Sequence, residues 1–80
     1  MSYMFEVLYK SPPDPQREAS ICESVGAFGG SLACREEPGG SGPGPVTLTY
    51  EFNDLRMAEQ AAESLRSRGE HVEGPVNYGA

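Results

Sequence analysis

The sequence predicts an α+β domain with the element order βαββαβ, in which a four-stranded antiparallel sheet carries two helices on one face. Three observations lead there. Residues 3–10 (YMFEVLYK) and 46–52 (VTLTYEF) alternate in a period of two and are rich in β-favouring side chains. Residues 15–28 and 54–68 place apolar side chains at helical spacing behind good capping residues. A second, weaker alternating run follows each helical stretch.

The first strand puts Tyr3, Phe5, Val7 and Tyr9 on one side and Met4, Glu6, Leu8 and Lys10 on the other. The prolines of SPPDP end it, because they cannot continue a ladder. Pro15 holds Asp14 in the extended conformation an N-cap requires and itself suits the first helical position. The helix then runs to Phe28 on a stripe of Ile21, Val25 and Phe28, with Cys22 at its edge, and Gly29–Gly30 stop it. SLACREE reads as a weaker strand with Leu32 and Cys34 inward and Ala33 and Arg35 outward. In the next strand Val46, Leu48, Tyr50 and Phe52 face in, and Thr47, Thr49 and Glu51 face out. Asn53 or Asp54 caps a second helix reaching about Arg68, with Ala58, Ala61, Ala62 and Leu65 buried. Phe52 is placed to staple Met57 if Asn53 is the cap. Arg66 and Arg68 suit the dipole of its last turn, and Gly69 ends it. HVEGPVNY, broken by Gly74 and Pro75, is an irregular edge strand.

Right-handed crossovers make the two strands flanking each helix parallel neighbours or near neighbours. The split βαβ, or ferredoxin-like, arrangement satisfies this condition, and the chain resembles that superfold over nearly its whole length. The resemblance is architectural. The competing arrangement is an irregular α+β domain whose last strand never pairs.

Between the second and third strands lies EEPGGSGPGPV, residues 36–46. A phosphate loop needs converging backbone N–H groups, usually with a Lys and a Ser or Thr opening a helix. Here Pro38, Pro43 and Pro45 remove donors, Glu36 and Glu37 repel anions, and a strand follows. The stretch reads as a hairpin loop.

Eighty residues make one domain with a thin core. The apolar fraction of 38% is that of a folded chain, and the net charge of −6 disfavours nucleic acid and anionic membranes as partners. No apolar run approaches bilayer-spanning length, and MSYMFEVLYK lacks the features of an export signal. Two cysteines are too few for a disulfide scaffold, so the expectation is a cytoplasmic domain with reduced thiols.

The chemical candidates are sparse. His71 is the only histidine and sits beside Glu70 and Glu73, as a surface imidazole does; it has no second His with which to share a metal. Cys22 and Cys34 are expected as small core fillers; a redox pair is the sharper alternative, without C-x-x-C spacing. Glu6 and Glu51 lie on adjacent strands of the open face, near enough to repel but exposed to solvent. The outward residues Met4, Glu6, Leu8, Thr47, Thr49 and Glu51 include no aromatic on which a base could stack, so RNA binding fails.

The sequence therefore points to a binding or assembly module without catalytic activity or cofactor, acting through its open sheet face or an edge strand. The candidate interface is Met4, Glu6, Leu8, Thr47, Thr49 and Glu51, rimmed by Lys10 and Arg35, with a protein partner or a second copy as occupant. A small-metabolite sensor, with a pocket near the first loop or at a dimer seam, is the alternative. Thiol-based redox activity at Cys22 and Cys34 comes third.

Overall fold

The computed structural model describes residues 2–39 and 44–77. Six elements follow one another: β1 (Tyr3–Lys10), α1 (Pro15–Ala27), β2 (Ser31–Glu36), β3 (Pro45–Phe52), α2 (Leu55–Ser67) and β4 (His71–Asn77). The strands form one antiparallel sheet in the order β2-β3-β1-β4. β4 pairs with β1 from Leu8↔His71 to Tyr3↔Asn77, so the last strand is part of the sheet and forms one of its edges. β2 and β3 are neighbours joined by residues 37–44, a hairpin connection of which residues 40–43 lie outside the described residues.

The central pair carries the fold. β1 and β3 match in unbroken register from Tyr3↔Phe52 to Lys10↔Pro45. Directly opposed residues share a face, so Phe5, Val7 and Tyr9 join Val46, Leu48, Tyr50 and Phe52 in one buried layer. Ile21 and Val25 of α1 and the stripe Ala58, Ala61, Ala62 and Leu65 of α2 cover that layer. Both helices thus lie on one side. The alanines of α2 let its backbone come close to the sheet, while Phe5 packs its ring 5.9 Å from Tyr50 and 5.3 Å from Phe52.

Local chemistry sets the helix ends. Asp14 caps α1 by accepting from the Arg17 N–H at 3.1 Å, with Pro15 in the first turn. Asp54, not Asn53, caps α2, accepting from Arg56 and Met57 N–H groups at 2.8 and 3.3 Å. That one-residue shift removes the expected Phe52–Met57 staple, because the position before the cap is now the polar Asn53; Met57 packs at the rim of the core instead. Both helices end in the same way. Gly29 (φ +85°) and Gly69 (φ +90°) take the left-handed conformation. The following N–H groups of Gly30 and Glu70 return to the Val25 and Leu65 carbonyls at 3.1 and 3.0 Å.

β2 departs from the expected pattern. Ser31 and Leu32 oppose Glu51 and Tyr50, but Cys34 opposes Thr49, so one residue at Ala33 is bulged out. Beyond the bulge the faces are exchanged. Cys34 therefore joins the open face rather than the core, and Arg35, opposite the buried Leu48, turns to the helical side. Leu32 keeps the inward register but is 44% exposed, on an edge strand whose described residues are all exposed. Cys22 is exposed as well. The expectation of two core-filling thiols is wrong for both residues.

Three arginines tie the periphery together. Arg66 of α2 donates through Nη2 to the carbonyls of Val72 (3.0 Å) and Gly74 (2.8 Å), fastening the irregular β4 to the helix beside it. Arg68 reaches Ser20 Oγ at 2.7 Å and also Ser24, linking the two helices. Arg17 pairs with Glu70 at 2.8 Å and lies 5.0 Å over the Tyr9 ring.

Gly30, in the turn from α1 into β2, lies against packed core side chains. A Cβ there would lie 2.5 Å from Phe52 Cε2 and 2.6 Å from Val25 Cγ1, both in the packed core. Gly30→Ala is expected to cost about 1–3 kcal/mol through overpacking, read as a lower denaturant midpoint at unchanged slope. A variant as stable as the parent would show that this junction is loosely packed.

Candidate functional site

The side of the sheet away from the helices carries the predicted interface. Reading across β2, β3, β1 and β4, its three rows are Ser31–Glu51–Met4–Val76, Cys34–Thr49–Glu6–Glu73 and Glu36–Thr47–Leu8–His71. The strands thus bring Met4, Glu6, Leu8, Thr47, Thr49 and Glu51 onto one surface, each partly exposed. β4 adds residues absent from the sequence-based interface, among them Val76, 49% exposed beside Met4. Arg35, expected at the rim, is on the other side of the sheet because of the Ala33 bulge.

The carboxylates of this face are arranged differently from the expectation. Glu6 and Glu51 are diagonal rather than opposed, since Glu6 faces Thr49 and Glu51 faces Met4. The direct like-charge pair is Glu6 with Glu73 across β1 and β4. Ser2 Oγ donates to Glu51 at 2.5 Å, and His71 Nε2 lies 3.0 Å from Glu73 Oε2. His71 and Glu73 are well exposed, so this is a solvated surface contact. A depression of about 200 Å³ opens between Met4, Glu6, Thr49, Glu73 and Val76.

A second depression, about 470 Å³ and widely open, lies where the first loop leaves β1, bounded by Lys10, Ser11, Gly44 and Pro45. The thiols do not meet: Cys22 is on α1 and Cys34 on the opposite, open face of the sheet, each free. No group of three or more His, Cys, Asp or Glu side chains among the described residues could hold a metal ion.

The best-connected polar cluster lies on the helical side and joins α1 to β2. Arg35 grips Glu18 through Nε (2.6 Å) and Nη2 (2.9 Å) and also bonds Glu37. The Tyr9 hydroxyl donates to Glu18 and accepts from the Asp14 N–H at 2.9 Å. The Arg35 hydrogen bonds hold the Glu18 carboxyl below its usual range against an opposing effect of burial, and the Tyr9 hydroxyl helps. Burial pushes the Tyr9 phenol up, and its bond to Glu18 adds to this. Burial likewise raises the Tyr50 phenol, with the nearby Cys22 and Glu18 as smaller causes. The sequence offered no sign of this cluster, since strict alternation sends Arg35 the other way.

No protein-family model matches the sequence, and no curated protein is significantly similar to it. Among solved structures, the fold is similar to part of an amidase of the hydantoinase/carbamoylase family from Burkholderia multivorans. The TM-score is 0.53 at 14% identity, covering 95% of this chain and 27% of the amidase. At that identity the likeness is one of fold alone, and the chain spans little more than a quarter of the amidase's length. No helix among the described residues is long and apolar enough to cross a membrane.

Two expectations follow from this geometry. Glu18 is more acidic folded than unfolded, so its contribution to stability is complete above the unfolded value of about 4.3 and fades as pH falls through the lower folded value. The stability gap between the parent and Glu18→Gln should therefore be constant at neutral pH and close below about pH 4. Urea melts across that range check it, and a pH-independent gap would mean that the Arg35 pairing confers nothing. The second concerns the thiols. Cys22 and Cys34 should both react with an aromatic disulfide reagent in the native state, within about tenfold of their rates in denaturant. Protection of either thiol would return it to the core.

Proposed function

We propose that the chain is a binding or assembly module of the ferredoxin-like type, without catalytic activity, that acts through its open sheet face. One observation carries this reading. Two helices cover one side of the sheet, and among the described residues no element covers the other, where Met4 and Leu8 of its central strand and Val76 of its edge are apolar and solvent-accessible. Single exposed apolar residues are ordinary on any protein; Met4 and Val76, directly paired on a flat surface with Leu8 four residues along β1, form a patch with a charged rim. The strand order, with each helix joining two parallel strands that flank a third, supports the fold assignment. The amidase likeness gives no residue by which amide hydrolysis could be carried over.

A small-ligand sensor is the second reading, favoured by the depression beside Lys10 and Ser11 at the start of the first loop. Its wide opening and the few described residues bounding it rank it below the face.

If the apolar residues of the face serve recognition, replacing them leaves the fold intact. Met4→Thr with Leu8→Thr should cost less than about 1 kcal/mol in a denaturant melt, because Thr suits a strand and neither side chain belongs to the core. A cost of core size, about 2 kcal/mol or more for each residue, would assign both side chains to the fold and remove the reason for the reading.

A further inference from the structure

The face described above has a marked charge imbalance. Glu6, Glu36, Glu51 and Glu73 lie on it, and Lys10 at the end of β1 is its one fixed cation among the described residues. Arg17, Arg35, Arg66 and Arg68 are all engaged with the helices, the Arg66 clamp on β4 or the β2 end. Two of the face's acids have local partners, Glu51 in Ser2 and Glu73 in His71. Glu6 has none: among the described residues its carboxylate makes no hydrogen bond and no ion pair, and it is partly buried on the central strand. Across the strand pair stands Glu73, a second carboxylate. The depression of about 200 Å³ lies between them, with Met4 and Val76 as its apolar floor.

Resting on the reading that this face binds a partner, we infer that the partner is a basic segment of another protein. It places a lysine or arginine head between Glu6 and Glu73 and the methylene stem against Met4 and Val76. Long cationic side chains divide their surface in this way, with the stem on apolar groups and the head on an anion. The dimensions fit. At roughly 30 Å³ per water the depression holds the equivalent of six or seven waters, room for one long side chain and less than a drug-sized ligand requires. Charge selects against the other occupants. A second copy laid face to face brings four carboxylates and one fixed cation against the same set, and like charges brought together at an interface oppose pairing. Nucleic acid and anionic membranes are repelled by the same carboxylates.

The test uses isotope-labelled protein and two short peptides with Gly-Ser flanks, one with Leu-Lys-Leu at its centre and the other with Leu-Glu-Leu. The lysine peptide should shift the amide resonances of residues 4–8, 49, 73, 74 and 76, and less so at high salt. Glu6→Gln, which keeps the side-chain shape, should weaken it by about five- to tenfold, as expected for removing one partly desolvated ion pair, and Glu6→Gln with Glu73→Gln by more. The glutamate peptide should leave the face unchanged. Equal shifts from both peptides, or lysine-peptide binding that ignores both substitutions or maps elsewhere, overturn the basic partner; shifts on the face would still support the face as a binding surface. A silent face, together with a dimer in sedimentation equilibrium that Leu8→Glu converts to a folded monomer, puts a second copy there and overturns the inference alone. A silent face on a monomer overturns both.

Discussion

The antiparallel match of β1 with β3 is the constraint on which the other features depend. With Tyr3↔Phe52 through Lys10↔Pro45 in register, every inward residue of one strand meets an inward residue of the other. A slip of one residue would put Phe5 and Val7 on one face and Tyr50 and Phe52 on the other, so the register and the core are the same fact. The helices have little freedom once that layer exists. α2 presents small residues to it and approaches closely; α1 brings Ile21 and Val25 and, at Gly30, leaves no room for a methyl group.

The same alternation creates the opposite face. Each residue committed to the core on β1 and β3 sends its neighbour outward, and both helices among the described residues lie on the other side of the sheet. The open face is a by-product of a small α+β architecture, and its chemistry is where selection of a partner can act. Met4 and Leu8 stand where a charged or hydroxyl side chain would serve solubility better. Their placement next to Glu6 and Glu73 gives the surface an apolar floor with negative walls.

Sequence patterning revealed what burial enforces. β1, β3 and the stripe of α2 are legible because a misplaced residue there would cost core burial, and so are the Asp14 and glycine signals at helix ends. β2 was not legible in its second half, for the complementary reason. All six of its residues are exposed, so no penalty keeps its alternation strict, and a bulge at Ala33 enters without trace in the sequence. That single extra residue accounts for the misplaced Cys34 and for Arg35, whose grip on Glu18 belongs to the helical side. That Met4, Glu6, Leu8, Thr47, Thr49 and Glu51 share a face of β1 and β3 was legible, whereas Val76 and Glu73 of β4 required the register across the second bulge, near Gly74.

The Arg66 clamp has a consequence for how sheets of this protein can grow. Its guanidinium takes up the carbonyls of Val72 and Gly74, and Pro75 has no N–H, so β4 has fewer free backbone groups for a further strand to pair with. The opposite margin, β2, has no such clamp. The two margins of the sheet therefore differ: β4 offers an incoming strand fewer free acceptors than β2 does, and edge-to-edge growth, the hazard of any open sheet, is hindered on the side where the irregular strand lies.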